Sequence, residues 1–193
     1  MRSISMKHVG FVLGGTLALF LLSGVPTPAA DAPAHEYVGV KKCKICHKKE
    51  EDGNQYGIWE KSAHAKAYET LATDQAKEIA KAKGIDDPQK AAACLECHVT
   101  AYPVMADLAN QKITMEEGVS CESCHGPGSD YYKKSVMEAV SSGETDPASV
   151  GLVIPKEDTC TRCHNDKSPT FKGFDFKEMY KKIAHPLPKK AEG

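Results

Sequence analysis

All eight cysteines of the 193-residue chain fall into one pattern, repeated four times. The copies are Cys43-Lys-Ile-Cys46-His47, Cys94-Leu-Glu-Cys97-His98, Cys121-Glu-Ser-Cys124-His125 and Cys160-Thr-Arg-Cys163-His164. Residues three and four apart share one face of a helix, so each copy can offer two thiols and an imidazole to the same body. C-x-x-C-H is the attachment pattern of c-type haem. Each thiol can form a thioether with one vinyl group of the porphyrin, and the adjacent histidine can coordinate the iron. Paired cysteines also serve zinc sites, redox dithiols and disulfide scaffolds. None of those explains a histidine directly after the second cysteine in every copy. The expected cofactors are therefore four covalently bound haem c groups. His47, His98, His125 and His164 are the expected proximal ligands.

The other histidines limit what the irons can do. Of eight histidines, His8 lies in an N-terminal apolar segment and four belong to the motifs. His35, His64 and His185 remain as candidate distal ligands. Three cannot serve four irons, so within one chain at least one iron must lack a second histidine. His64 lies among Ala63, Ala65 and Ala67, small neighbours that let a porphyrin come close. His185 follows an expected helix over 176–184, which Pro186 stops. His35 sits beside Pro33 and could fold over a haem or remain solvated. Met105, Met115, Met137 and Met179 are expected to pack as gap fillers. Tyr131 and Tyr132 are weaker distal candidates.

The first 29 residues read as a secretory signal peptide: Arg2 and Lys7, then an apolar run from Val9 to Val25, then Pro26, Pro28 and small residues. Residues 30–193 are expected to form one haem-carrying domain in the periplasm or outside the cell. Nothing after Val25 is apolar enough to cross a membrane. The formal net charge is -1, which leaves no basic surplus for nucleic acid. The lysines at 41, 42, 44, 48 and 49 could steer an acidic redox partner, although Glu50, Glu51 and Asp52 follow at once. The expected partners are redox proteins.

The expected fold class is mainly α, haem-cored, with long loops and little or no sheet. Helices are expected over 55–71, over 74–83 with Gly84 as C-cap, from Asp87-Pro88 into the second motif, and over 130–142 closed by Gly143. Only Gly151 to Ile154 looks extended. The polypeptide is too polar to build a large core alone, so the porphyrins are expected to fill the interior. Removing haem should leave the chain largely unfolded.

With the motifs placed, the chain resembles the tetrahaem cytochrome c-554 family. The likeness is carried by Tyr37-Val-Gly-Val-Lys-Lys-Cys43 through His47, by the Ser-Ala-His64-Ala-Lys-Ala stretch, by Glu117-Gly-Val-Ser-Cys121 through Gly128, and by the helix before His185. The resemblance implies a mostly helical fold with closely stacked haem pairs and an electron-carrier role rather than an enzyme. It also implies an open distal side on the iron held by His98. The family has a further distal histidine soon after Cys-His-Gly-Pro-Gly, whereas this chain reads Ser129-Asp-Tyr-Tyr-Lys-Lys-Ser135. Either His35 substitutes, or a second haem, the first in the chain, lacks a second histidine. Two alternative roles remain: a small reductase acting on a nitrogen oxide at an open iron, or a filament subunit that borrows a neighbour's histidine.

Overall fold

The computed structural model describes residues 35–102 and 112–187. The expected signal peptide and Met105 lie outside them. The described residues contain nine α-helices, several 3-10 turns and no strand. The helices are α1 (Val40–His47), α2 (Gln55–Glu60), α3 (Ala67–Thr70), α4 (Asp74–Ala82), α5 (Ala92–His98), α6 (Cys121–His125), α7 (Lys134–Ser142), α8 (Glu157–Thr161) and α9 (Phe176–Ile183). The mainly α expectation holds. None of these helices is long and apolar enough to cross a membrane.

Three motif helices end on their histidine, so the imidazole projects from a helix terminus. In the fourth motif the helix stops at Thr161, and the amides of Cys163 and His164 still reach back to the Cys160 carbonyl. Local signals place the other helices well. The Thr73 hydroxyl accepts from the Ala76 amide to start α4, as N-cap residues do. Gly143 closes α7 in the left-handed conformation. Asp175 caps α9 by accepting from the Glu178 amide at 3.0 Å.

Several expected boundaries move. The helix over 55–71 is broken: α2 stops at Glu60, His64–Lys66 forms a 3-10 turn, and α3 follows. Tertiary bonding accompanies the break, because the His64 carbonyl accepts from the Val119 amide at 3.0 Å. Asp87 does not open a helix into the second motif. Its carboxylate accepts from the Gln89 amide in a turn, and extended Ala91 restarts the chain before α5. The α7 helix begins at Lys134, later than expected. Gly151 to Ile154 forms no strand, and Pro147–Val150 makes a 3-10 turn before it. Met179 is exposed rather than packed, whereas Met115 does pack against the core.

That core is small. Leu71, Leu95 and Val99 are buried together, with Tyr68, Tyr102 and Met115 packed on them. Each of the three contributes about 2 kcal/mol of apolar burial. Much of the remaining order is polar. Glu122, inside the third motif, is 2% exposed and accepts from the amides of Val38, Gly39 and Gly128 at 2.9, 2.9 and 2.7 Å. Thr100, just past the second motif, is 1% exposed. Its hydroxyl donates to the Gly118 carbonyl and accepts from the Ser120 amide. These two side chains fasten the approach to the first motif, and the exit of the second, to the third. Gly118 is required where these segments meet: its φ is +60°, and a Cβ there would fall 2.7 Å from the His64 carbonyl oxygen.

Candidate functional site

The four motifs meet in two pairs. The Cys43 and Cys121 thiols engage each other: that contact, with burial, holds Cys43 well above its ordinary pKa, and the same contact, against burial, draws Cys121 below its own. Cys97 lies against Cys163, and burial, the first cause, with that neighbour pushes Cys97 up to about 11. The first motif is thus beside the third, and the second beside the fourth. Arg162, within the fourth motif, donates to the Ser123 carbonyl within the third at 2.6 Å and so ties the pairs together. Among the described residues, no three His, Cys, Asp or Glu side chains gather as chelators of a bare metal ion.

The structure fixes the orientation of three proximal imidazoles. His98 donates from Nδ1 to the Ala67 carbonyl at 2.7 Å, and His125 does so to the Val153 carbonyl at 3.0 Å. His47 Nδ1 lies 3.2 Å from Gln55 Oε1. The Gln55 amide nitrogen donates to the Asp52 and Pro186 carbonyls, so its oxygen must be the acceptor for His47. A proton held on Nδ1 leaves the Nε2 lone pair for a metal, the usual arrangement of a ligating histidine. His164 instead stacks on Phe174, with ring centres 4.9 Å apart and 18° between planes.

Two of the three candidate distal histidines face motif histidines. The His185 ring lies 5.8 Å from that of His125. The His64 ring lies 5.9 Å from that of His164. Metal–imidazole bonds of about 2 Å on opposite sides of one ion put the two ring centres about 6 Å apart. Burial pushes the pKa of all four of these histidines down, toward the neutral form that a metal needs. Ala67, expected to make room beside His64, is instead buried in the protein, and its carbonyl serves His98.

His35 is placed differently. Its Nδ1 lies 3.0 Å from the Asp130 carboxylate, and its ring lies against Gly151. Tyr131, a weaker distal candidate, donates its hydroxyl to the Gly126 carbonyl, and burial raises its pKa. Tyr132 is exposed, with the Lys42 ammonium 5.8 Å from its ring centre. The Lys44 ammonium lies 4.4 Å from the Tyr56 ring centre, so part of the lysine cluster near the first motif is engaged locally.

The surroundings fit large planar cofactors. A cavity of about 770 Å³ opens beside Cys97, Cys124 and Cys163, bounded by Tyr37, Tyr102 and Arg162. The polypeptide alone leaves Ile45, Val153, Ile154 and Phe171 exposed close to the motifs. A porphyrin supplies the apolar face such side chains need. Sequence reasoning missed Glu122, Gln55, Phe174 and Arg162. Only Glu122 and Arg162 carry a signal, since both are ionisable side chains between the two cysteines of a motif.

A mainly helical chain whose short helices deliver Cys-x-x-Cys-His groups to paired imidazoles is a c-type cytochrome. Comparison with known proteins gives the narrower assignment. The family model described as "Cytochrome c554 and c-prime" matches residues 42–126. The chain is also 37% identical over 169 residues to cytochrome c-554 of Nitrosomonas europaea, covering 81% of this chain and 68% of that protein. The chain belongs to the cytochrome c-554 family and, as a c-type cytochrome, holds haem covalently. No solved structure matches it.

Proposed function

We propose that the chain is an exported, periplasmic electron-transfer protein carrying four haem c groups, one on each Cys-x-x-Cys-His motif. The facing of His185 with His125, and of His64 with His164, carries this reading. Imidazoles at that separation suit two irons that are ligated on both sides. Haem supplies reversible one-electron chemistry at iron when bound. The protein's own residues do the rest. Gln55, Ala67 and Val153 fix the proximal rings through their Nδ1 protons. Such bonds raise ligand basicity and thereby tune the potential. The pairing of motifs brings two cofactors together in each half, which suits a relay. The apolar N-terminal segment and the extracytoplasmic attachment of c-type haem support export.

The test is the intact mass of the exported protein together with its pyridine haemochrome content. The expected result is loss of the first 29 residues and four covalent haems per chain. Three or fewer haems would overturn the count, and a retained N-terminal segment would overturn the export reading. A second reading, a small reductase, is favoured by one observation. Among the described residues, no imidazole ring faces His98 or His47 at the separation seen for the two pairs. Repeated turnover of nitrite, nitric oxide or hydroxylamine by the reduced protein would establish it. Stoichiometric oxidation without turnover would leave the carrier role.

A further inference from the structure

The two pairs share a rule of construction. In the first pair, His185 faces the third motif's His125. Its neighbour Pro186 is bonded through its carbonyl to Gln55, the residue that orients the first motif's His47. In the second pair, His64 faces the fourth motif's His164. Its neighbour Ala67 orients the second motif's His98 through its carbonyl. In both cases the distal imidazole for one motif is held by the group that orients the proximal imidazole of its partner motif.

The rule is reciprocal, because partners in a stacked pair exchange roles. The distal ligand for the first motif should therefore be held beside the group that orients His125. That group is the Val153 carbonyl, in the segment that begins at Gly151. His35 lies on this segment. A Cβ added to Gly151 would fall 2.7 Å from the His35 ring, so only glycine admits the imidazole there. His35 is also fastened in place. The Asp130 carboxylate holds its Nδ1, and next to it the Glu36 amide donates to the Ser129 hydroxyl while the Ser129 amide donates to the Glu36 carbonyl. With Nδ1 bound to a carboxylate, Nε2 is the ligating nitrogen, as for the proximal histidines.

We infer that His35 is the distal iron ligand of the haem on the first motif and that Asp130 is its positioning residue. Phe174 stacks on the fourth motif's His164, and with His64, His185 and His35 so assigned no histidine among the described residues remains for the second motif's iron. This assignment rests on the four-haem reading and deepens it.

The test uses the exported holoprotein and its variants His35→Ala, His35→Met and Asp130→Asn. Covalent haem is counted first, then the high-spin ferric signal is integrated by electron paramagnetic resonance. The wild type should show one high-spin iron per chain. His35→Ala should show two while retaining four haems, and added imidazole should return one to the low-spin state. His35→Met should keep that iron low-spin and gain the red-edge charge-transfer band of a methionine-ligated ferric haem. Asp130→Asn should keep the ligand but raise that haem's potential, because the ring loses an anionic hydrogen-bond partner. An unchanged high-spin count in His35→Ala, or no new band in His35→Met, overturns the assignment. Fewer than four haems in the wild type would instead refute the reading on which it rests. If His35→Ala does not assemble, the Met variant decides.

Discussion

The first and third motifs and the second and fourth motifs form two pairs built on one plan, but their surroundings differ in kind. The first pair is fastened by a buried carboxylate. Glu122 takes three backbone amides, two of them from the segment that leads into α1. In the second pair, the second motif rests on the apolar cluster of Leu71, Leu95 and Val99, and His164 of the fourth motif stacks on Phe174. The buried carboxylate joins the two members of the first pair, whereas the apolar cluster backs one member of the second. A buried hydrogen-bonded carboxylate is costly to disturb, because each amide it releases loses its partner. An apolar contact is graded and loses strength in proportion to the area removed.

Glu122→Ala should have the largest effect on stability. It strands three amides and is expected to cost about 3 kcal/mol or more. Denaturant unfolding of the holoprotein should show it, and a loss below about 1 kcal/mol would mean that the first pair does not depend on the carboxylate. Thr100→Val comes next, at about 2 kcal/mol, because the Ser120 amide loses its acceptor in a buried site. Phe174→Ala should cost about 1 kcal/mol through the lost stack on His164. It should broaden the spectral signature of the fourth motif's haem while leaving the first pair untouched. Glu178→Ala is the smallest. The Lys181–Glu178 bridge on α9 is 60% exposed on both sides, and its loss should change stability by about 0.5 kcal/mol or less.

The same division explains what was legible in the sequence. The four motifs announce themselves by residue type and spacing. Gly143 closes α7 as expected, and α4 and α9 begin at the expected Asp74 and Phe176, where Thr73 and Asp175 supply the caps, because capping is local. His64 and His185 were legible as distal candidates by elimination among eight histidines, and both face motif histidines. The break after Glu60 was not legible, since nothing in Lys61 to Ala63 forbids a helix. It accompanies a bond to the His64 carbonyl from the amide of Val119, far away in the chain. Asp87-Pro88 carries a helix-start signature but is used as a turn. Glu122 reads as a solvated charge between two cysteines, and its burial depends on two amides from the distant Val38–Gly39 segment as well as the nearby Gly128 amide. Met179 has core-like spacing, yet the protein leaves it exposed. The errors fall where long-range hydrogen bonds or cofactor-facing surfaces override local pattern.

Reciprocal ligation is the central claim, and one measurement reaches it directly: the integrated high-spin ferric resonance of the oxidised holoprotein, compared among wild type, His64→Ala and His185→Ala. Each substitution should add one high-spin iron to the wild-type count, with four covalent haems retained, and added imidazole should reverse each change. A variant that keeps its four haems and shows no added high-spin iron would contradict the pairing of His64 with His164, or of His185 with His125, on which the account stands.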